Sequence, residues 1–260
     1  MATATEKFFP PLGADIAPVL SGRAAHRQSG NPEIASVLID FDGTICPYDV
    51  TDLLLSRFAS KEWENVENDW LSGKIGAREC LSRQIGMLRV SPSDLDAFLA
   101  GVAIDTFFPS FISLMRGENI PVAIVSDGLD YSIRHILRNY KLSDIQIFSN
   151  HLAYCGGRDW RLEFPYKNPA CPAGNCKCRH FNALPKKGAV VYIGDGASDF
   201  CPAAKADIVF AKGKLADFCR KQRINHIEVK NFTDILKLWP KLADLLPQMT
   251  GENAQAQVAL

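Results

Sequence analysis

The sequence predicts an α/β fold: a Rossmann-like parallel sheet sandwiched by helices, with a small α-helical cap. Three observations predict it. Short aliphatic and β-branched runs alternate with helix-patterned stretches, the rhythm of βαβ units. Three of those runs end in clusters of small and polar residues: Asp40, Asp42, Gly43 and Thr44; Ser126, Asp127 and Gly128; and Gly194, Asp195 and Asp199. Between the first cluster and the resumed rhythm, residues 46–105 are helix-patterned throughout, with no convincing strand.

Taken in order, the first run is Val37, Leu38 and Ile39, read as a buried strand that Gly43 turns out of the sheet. Asp49 stands where a helix through Phe58 needs its cap. Further helices are expected over 61–71, ended by Ser72 and Gly73, and over 76–88 and 94–100. Trp63 and Trp70, seven apart, share one helix face and read as cap packing or hinge. The rhythm then resumes with a helix over 109–117, a strand over 121–125, a helix over 131–140 and a strand over 145–148. A β-hairpin is expected over 151–164 around Gly156 and Gly157, then a cysteine-rich loop. Strands follow over 189–193, 207–210 and 226–229. The chain thus divides into a flexible N-terminal extension (1–33), a catalytic core (34–45 and 106–247), a helical cap (46–105) and a C-terminal tail (248–260). Glu6, Asp15 and the scarcity of arginine argue against an organelle-targeting peptide in the extension.

Composition narrows the function classes. Lys plus Arg and Asp plus Glu both number 29, so no net charge favours nucleic acid or an anionic membrane. No apolar run is long enough to cross a bilayer, and no secretory signal opens the chain. The eight cysteines therefore read as reduced thiols in a cytoplasmic protein, working as a monomer or homodimer.

Ligand chemistry in open α/β sheets sits beyond the carboxyl ends of strands, where the three clusters fall. Asp40 and Asp42, two apart, lean to one side of a strand end. They repel unless a cation lies between them or one is protonated. A nucleophile and metal ligand beside a general acid is the useful outcome. Asp40, Asp42, Asp195 and Asp199 supply the oxygen ligands that a hard cation such as Mg²⁺ takes. Ser126 and the backbone near Gly128 offer a phosphate a hydroxyl and amides, and Lys177 adds positive charge. Together these read as phosphoryl transfer.

The four motifs, in order, resemble those of the haloacid dehalogenase (HAD) superfamily, from Ser36 to Leu245. The helical insertion after the first motif is similar to the C1 cap of the phosphoserine-phosphatase-like branch. Within that branch, Glu62 and Trp63, the run Trp70 to Lys74, Ser126 to Asp130, and Cys171 to Lys177 most resemble MtnX-type phosphatases. Those dephosphorylate 2-hydroxy-3-keto-5-methylthiopentenyl-1-phosphate in methionine salvage. The resemblance implies Mg²⁺-dependent hydrolysis of a small-molecule phosphate monoester through an aspartyl phosphate. Asp40 would be the nucleophile, Asp42 the acid and base, and Ser126, Asp127 and Gly128 the phosphate cradle. Lys177 would neutralise charge, and Asp40, the Asp42 carbonyl, Asp195 and Asp199 would hold the metal. Asp49 and Arg83 match the positions that grip substrate in the phosphoserine branch, although Asp49 also suits an ordinary helix cap. The alternatives are a phosphoserine- or phosphocholine-like phosphatase and a silent binder of a phosphorylated metabolite. Cys171, Cys176 and Cys178, with His180 or Cys155 as a fourth ligand, are either a structural zinc site or packed thiols.

Overall fold

An apolar run that must be covered on both faces belongs at the centre of a sheet, and the first strand lies there. The computed structural model describes residues 34–184 and 188–242. The expected extension and tail lie outside them. Strand β1 (Ile34–Ile39) runs parallel between β2 (Val122–Leu129) and β5 (Ala189–Gly194). Parallel β3 (Gln146–Gly156) extends the sheet beyond β2, and parallel β6 (Ile208–Ala211) and β7 (Ile227–Glu228) extend it beyond β5. Strand β4 (Asp159–Glu163) pairs antiparallel with β3, giving the order β4-β3-β2-β1-β5-β6-β7.

The period-two alternation assigns each residue to one of two cores. Val37, Ile39, Ile124, Val191 and Ile193 face one core; Leu38, Ala123, Val125, Tyr192 and Val209 face the other. Four helices follow β1: α1 (Val50–Phe58), α2 (Trp63–Leu71), α3 (Ala77–Ile85) and α4 (Pro92–Leu99). Asp49 caps α1 by accepting from Asp52 N–H, and Ser91 caps α4 ahead of Pro92. Leu54, Ile85 and Leu99 from these helices join the same buried cluster as Ile39 and Ile193. The remaining helices are α5 (Phe108–Gly117), α6 (Asp130–Asn139), α7 (Lys177–Phe181), α8 (Phe200–Ala203), α9 (Gly213–Gln222) and α10 (Phe232–Leu238). Among the described residues no helix is long and apolar enough to cross a membrane.

Three local expectations need correction. The strand expected over 121–125 continues through Ser126, Asp127 and Gly128 to Leu129, with a register irregularity after Val125. The strand at 145–148 and the first arm of the hairpin are one strand, β3, pairing with β2 at its start and β4 at its end. Trp63 packs on the main core whereas Trp70 is exposed. The two share an azimuth, but two helical turns separate them by about 10 Å along the axis. The far end of α2 therefore projects beyond the core.

Candidate active site

The site is built where β1, β2 and β5 end side by side. Asp40 follows β1 and continues the ladder by donating its N–H to Ile193 O at 2.9 Å. Phe41 is fully buried, and its carbonyl accepts from the N–H groups of Thr44, Ile45 and Cys46, folding the chain into a tight loop. Gly43 makes that loop possible at φ +75°, and a Cβ there would collide with the Asp195 carboxylate. Thr44 Oγ1 donates to Asp195 Oδ1 at 2.9 Å, and Lys212 Nζ donates to Gly43 O at 2.8 Å, so motif one is tied to the end of β5. Gly43→Ala should therefore displace Asp195 and lower Mg²⁺ affinity by about tenfold or more. A Mg²⁺ titration of phosphate release reads that loss.

Asp42 lies over the start of α1. Its Oδ1 accepts from Val50 N–H at 2.9 Å, and Oδ2 lies 3.4 Å from the Ser126 hydroxyl. Burial first, then the Asp49 carboxylate, push the Asp42 carboxyl up to about 7. Ser126 Oγ in turn accepts from Gly128 N–H at 2.9 Å, so that amide orients the hydroxyl. Glycine is required at 128 because a Cβ would lie 2.5 Å from Asp42 Oδ2. The Asp127 carboxylate turns the other way, accepting from Asn175 N–H at 2.7 Å.

Asn175 locks the cysteine-rich loop onto the sheet. Its Nδ2 donates to Ser126 O (2.9 Å) and Phe148 O (2.7 Å), while Oδ1 pairs with His180 Nε2 at 2.7 Å. Asn175→Ala would strand two carbonyls within β2 and β3 and a buried imidazole. It should cost on the order of 3 kcal/mol, read from the urea midpoint.

That lock delivers Lys177, the first residue of α7, into the interior. Lys177 Nζ lies 2.8 Å from Asp40 Oδ1, 2.6 Å from Asp199 Oδ1 and 2.9 Å from Ser198 Oγ. Desolvation opposes its charge, but Asp199 and Asp40 outweigh it and hold the ammonium above the usual lysine range. Asp199 is fully buried and accepts from Lys177 Nζ and Tyr192 OH on Oδ1 and from the amides of Asp195 and Gly196 on Oδ2. Desolvation raises it, but Lys177 and the hydrogen bonds hold Asp199 below the usual carboxylate range. Asp40 is pushed up by burial and by Asp199, against the pull of Lys177. Burial and Asp199 also raise Asp195.

Carboxylate oxygens of Asp40, Asp195 and Asp199 lie within 4.8 Å of one another. Lys177 is paired with Asp40 and Asp199 and Lys212 faces Asp195, so two cations serve three acids and the cluster is still short of positive charge. Hard oxygen donors with a charge deficit suit a divalent cation of the Mg²⁺ type.

Arg83 does not join this cluster: it is half exposed and pairs with Glu79 on its own helix. Asp49 serves as the α1 cap, and its carboxylate also raises Asp42 and Asp52. His180 bonds to Asn175 and packs on Phe148 and Tyr166, and Cys155 is exposed on the β3–β4 hairpin. Among the described residues neither forms a group of three donor atoms with the loop cysteines. Sequence reasoning missed Asn175, Tyr192, Lys212 and Arg78. Arg78 on α3 donates to Cys171 O at 2.6 Å and Ala173 O at 3.1 Å, joining the inserted helices to the loop.

Residues 35–251 match the model of the family described as "Putative Phosphatase". The chain belongs to that phosphatase family. A 2-hydroxy-3-keto-5-methylthiopentenyl-1-phosphate phosphatase of Brevibacillus brevis is 31% identical to this phosphatase, covering 76% of the chain and 92% of the relative. Pdp3-interacting factor 1 of Schizosaccharomyces pombe is 30% identical, covering 79% of the chain and 95% of the relative. A solved substrate-bound phosphoserine phosphatase shares the fold with a TM-score of 0.57 at 20% identity, over 80% of this chain and 99% of that one. The phosphatase is a phosphate monoester hydrolase close to the MtnX type, and its fold is that of the phosphoserine phosphatases. The expected fold class, family and enzyme class therefore hold.

Proposed function

We propose that the phosphatase hydrolyses a small-molecule phosphate monoester through an aspartyl phosphate on Asp40, with Mg²⁺ as its metal. The observation that carries this reading is the ion cluster of Asp40, Lys177 and Asp199, set beside a carboxyl, Asp42, pushed up to about 7. Asp40 Oδ attacks phosphorus as the phosphorus–leaving-oxygen bond breaks, and Asp42 gives its proton to the departing alkoxide. Asp42, now ionised, takes a proton from the water that hydrolyses the acyl phosphate, which frees Asp40. Ser126 and the backbone beside Asp127 hold phosphate oxygens, and Lys177 neutralises Asp40 and the incoming dianion. Asp40, Asp195 and the Asp42 carbonyl would hold the metal, with Asp199, whose oxygens accept four donors, direct or through water. The bound cation supplies charge neutralisation on the phosphoryl oxygens.

Residues 46–105 serve as the cap, which excludes water until the intermediate has formed. Eight free thiols fit a reducing, cytoplasmic setting, and the enzyme works as a monomer or homodimer. Relatives named for 2-hydroxy-3-keto-5-methylthiopentenyl-1-phosphate make that the first substrate reading. One observation favours an amine-bearing ester of the phosphocholine or phosphoserine kind. Asp49 and Asp52 are exposed at the start of α1, and Asp49 with Glu67 on α2 stands close enough to raise Asp52, so three acids gather on the cap side of Asp42. A cationic substrate end would relieve them. The test is phosphate release from phosphoserine, phosphocholine, sugar phosphates and the methionine-salvage ester generated in situ, with Mg²⁺ and with EDTA. Mg²⁺-dependent release strongly favouring one ester is expected, and preference for the amines selects the second reading. Folded protein with Mg²⁺ bound that releases phosphate from none would overturn both in favour of a silent binder.

A further inference from the structure

Four of the eight cysteines converge on the two segments that carry Lys177 and Asp199. Cys176 and Cys178 flank Lys177, Cys171 leads the same loop, and Cys201 follows Asp199 by two residues. Helices α7 and α8 pack together. The Cys171 and Cys176 thiols lie against each other, as do those of Cys178 and Cys201. Cys201 is also near enough to push up Cys171, and Cys176 to push up Cys178, so each pair feels the other. None of the four is in a disulfide.

Burial and the neighbouring cysteines push the Cys171 thiol up and the Cys178 thiol up to about 12, so the empty cluster holds its protons until a metal displaces them. Asn168 Nδ2 donates to Cys176 Sγ at 3.6 Å, Lys205 faces Cys178, and the Arg78 guanidinium holds the Cys171 carbonyl. The sequence suggested three of these residues with His180 or Cys155, but the fold brings Cys201 to them instead.

We propose that Cys171, Cys176, Cys178 and Cys201 form a four-thiolate Zn²⁺ site beside the active centre. Zinc binding here is simple ligand exchange: the ion displaces four thiol protons to solvent, with no change of oxidation state. Soft sulfur donors select Zn²⁺, while the carboxylate cluster selects a hard cation, so the two sites do not compete for one metal. Among the described residues only the carboxylate group already has three donor atoms within 4.8 Å of one another. Bonds of about 2.3 Å to sulfur therefore require the two thiol pairs to draw together. Cys171 on its loop and the exposed Cys201 have the side-chain freedom to do so. The bound ion would staple the loop bearing Lys177 to the helix after Asp199.

The test uses the full chain, reduced and stripped of metal, titrated with Co²⁺ and then Zn²⁺. The expected result is a thiolate-to-cobalt charge-transfer band with intense tetrahedral d–d bands, saturating at about one equivalent and bleached by Zn²⁺. Oxygen ligands at the carboxylate cluster give neither. Cys201→Ser, at an exposed position, should weaken Zn²⁺ binding on the order of 100-fold, one ligand's share of a structural zinc site. Cys155→Ser and Asp195→Asn should leave the spectrum unchanged. Absence of the charge-transfer band, or its survival unaltered in folded Cys201→Ser, overturns the proposal.

Discussion

Asp42→Asn lowers turnover by roughly 10²–10⁴-fold while leaving phosphate binding in place. Asparagine keeps the shape of the side chain, and its amide oxygen still accepts from Val50 N–H, so the loop between β1 and α1 survives. What is lost is the proton for the leaving alkoxide and the base for the second step. Burial and Asp49 push Asp42 up to about 7, so in the native enzyme the acid form predominates below that pH. Turnover of esters with poor leaving groups should therefore fall as pH rises through that value, and the Asn variant should lack this limb. Steady-state phosphate release across pH, with calorimetric phosphate binding, checks both effects. Undiminished turnover would remove Asp42 from the chemistry.

Lys177→Met has the second large effect, because it acts on stability and activity together. It keeps the aliphatic stem and removes the cation between Asp40 and Asp199, both buried. Two carboxylates then share a dry site without a counter-charge, which should cost about 3–5 kcal/mol at neutral pH. In the variant both carboxyls titrate above their unfolded values, so the fold binds protons more tightly than the unfolded chain. The deficit therefore shrinks as pH falls through the raised values and is largest above them. Turnover should drop by roughly 10²–10³-fold for want of charge neutralisation on the phosphoryl group. Urea melts at about pH 5 and about pH 7.5 separate the two cases. Equal deficits at both pH values would show that packing, rather than charge, had been removed.

How much of this was legible in the sequence depended on how local each role was. Asp40, Asp42, Gly43 and Thr44 form one strand end and turn, so their placement follows from a short pattern. The three strand-end clusters pointed to one composite site because parallel strands bring their carboxyl ends together. Tyr192 was not legible: within Val190, Val191 and Ile193 it reads as another core aromatic, and its role depends on Asp199 folding back beneath it. Asn175 reads as loop filler until β2 and β3 lie side by side and leave two carbonyls for it to cover. Lys212, 168 residues from Thr44, reads as a surface charge until it reaches the motif-one loop. Arg83 carried a family position, but its i,i+4 spacing from Glu79 on one helix was a local signal of the pairing that forms. The length of β3 was hidden because its two halves use different partners, each with its own pattern.

The central claim is that phosphorus becomes covalently attached to Asp40, and peptide mass spectrometry tests it most directly. The Asp42→Asn variant, given Mg²⁺ and an aryl phosphate, needs no acid for its first step but lacks the base for its second. It should accumulate the intermediate. Acid quenching and digestion should then show one added phosphoryl group on the peptide containing Asp40, absent when Asp40 is also Asn. A phosphoryl group on a different residue, or sustained phosphate release from the Asp40→Asn enzyme, would contradict the account.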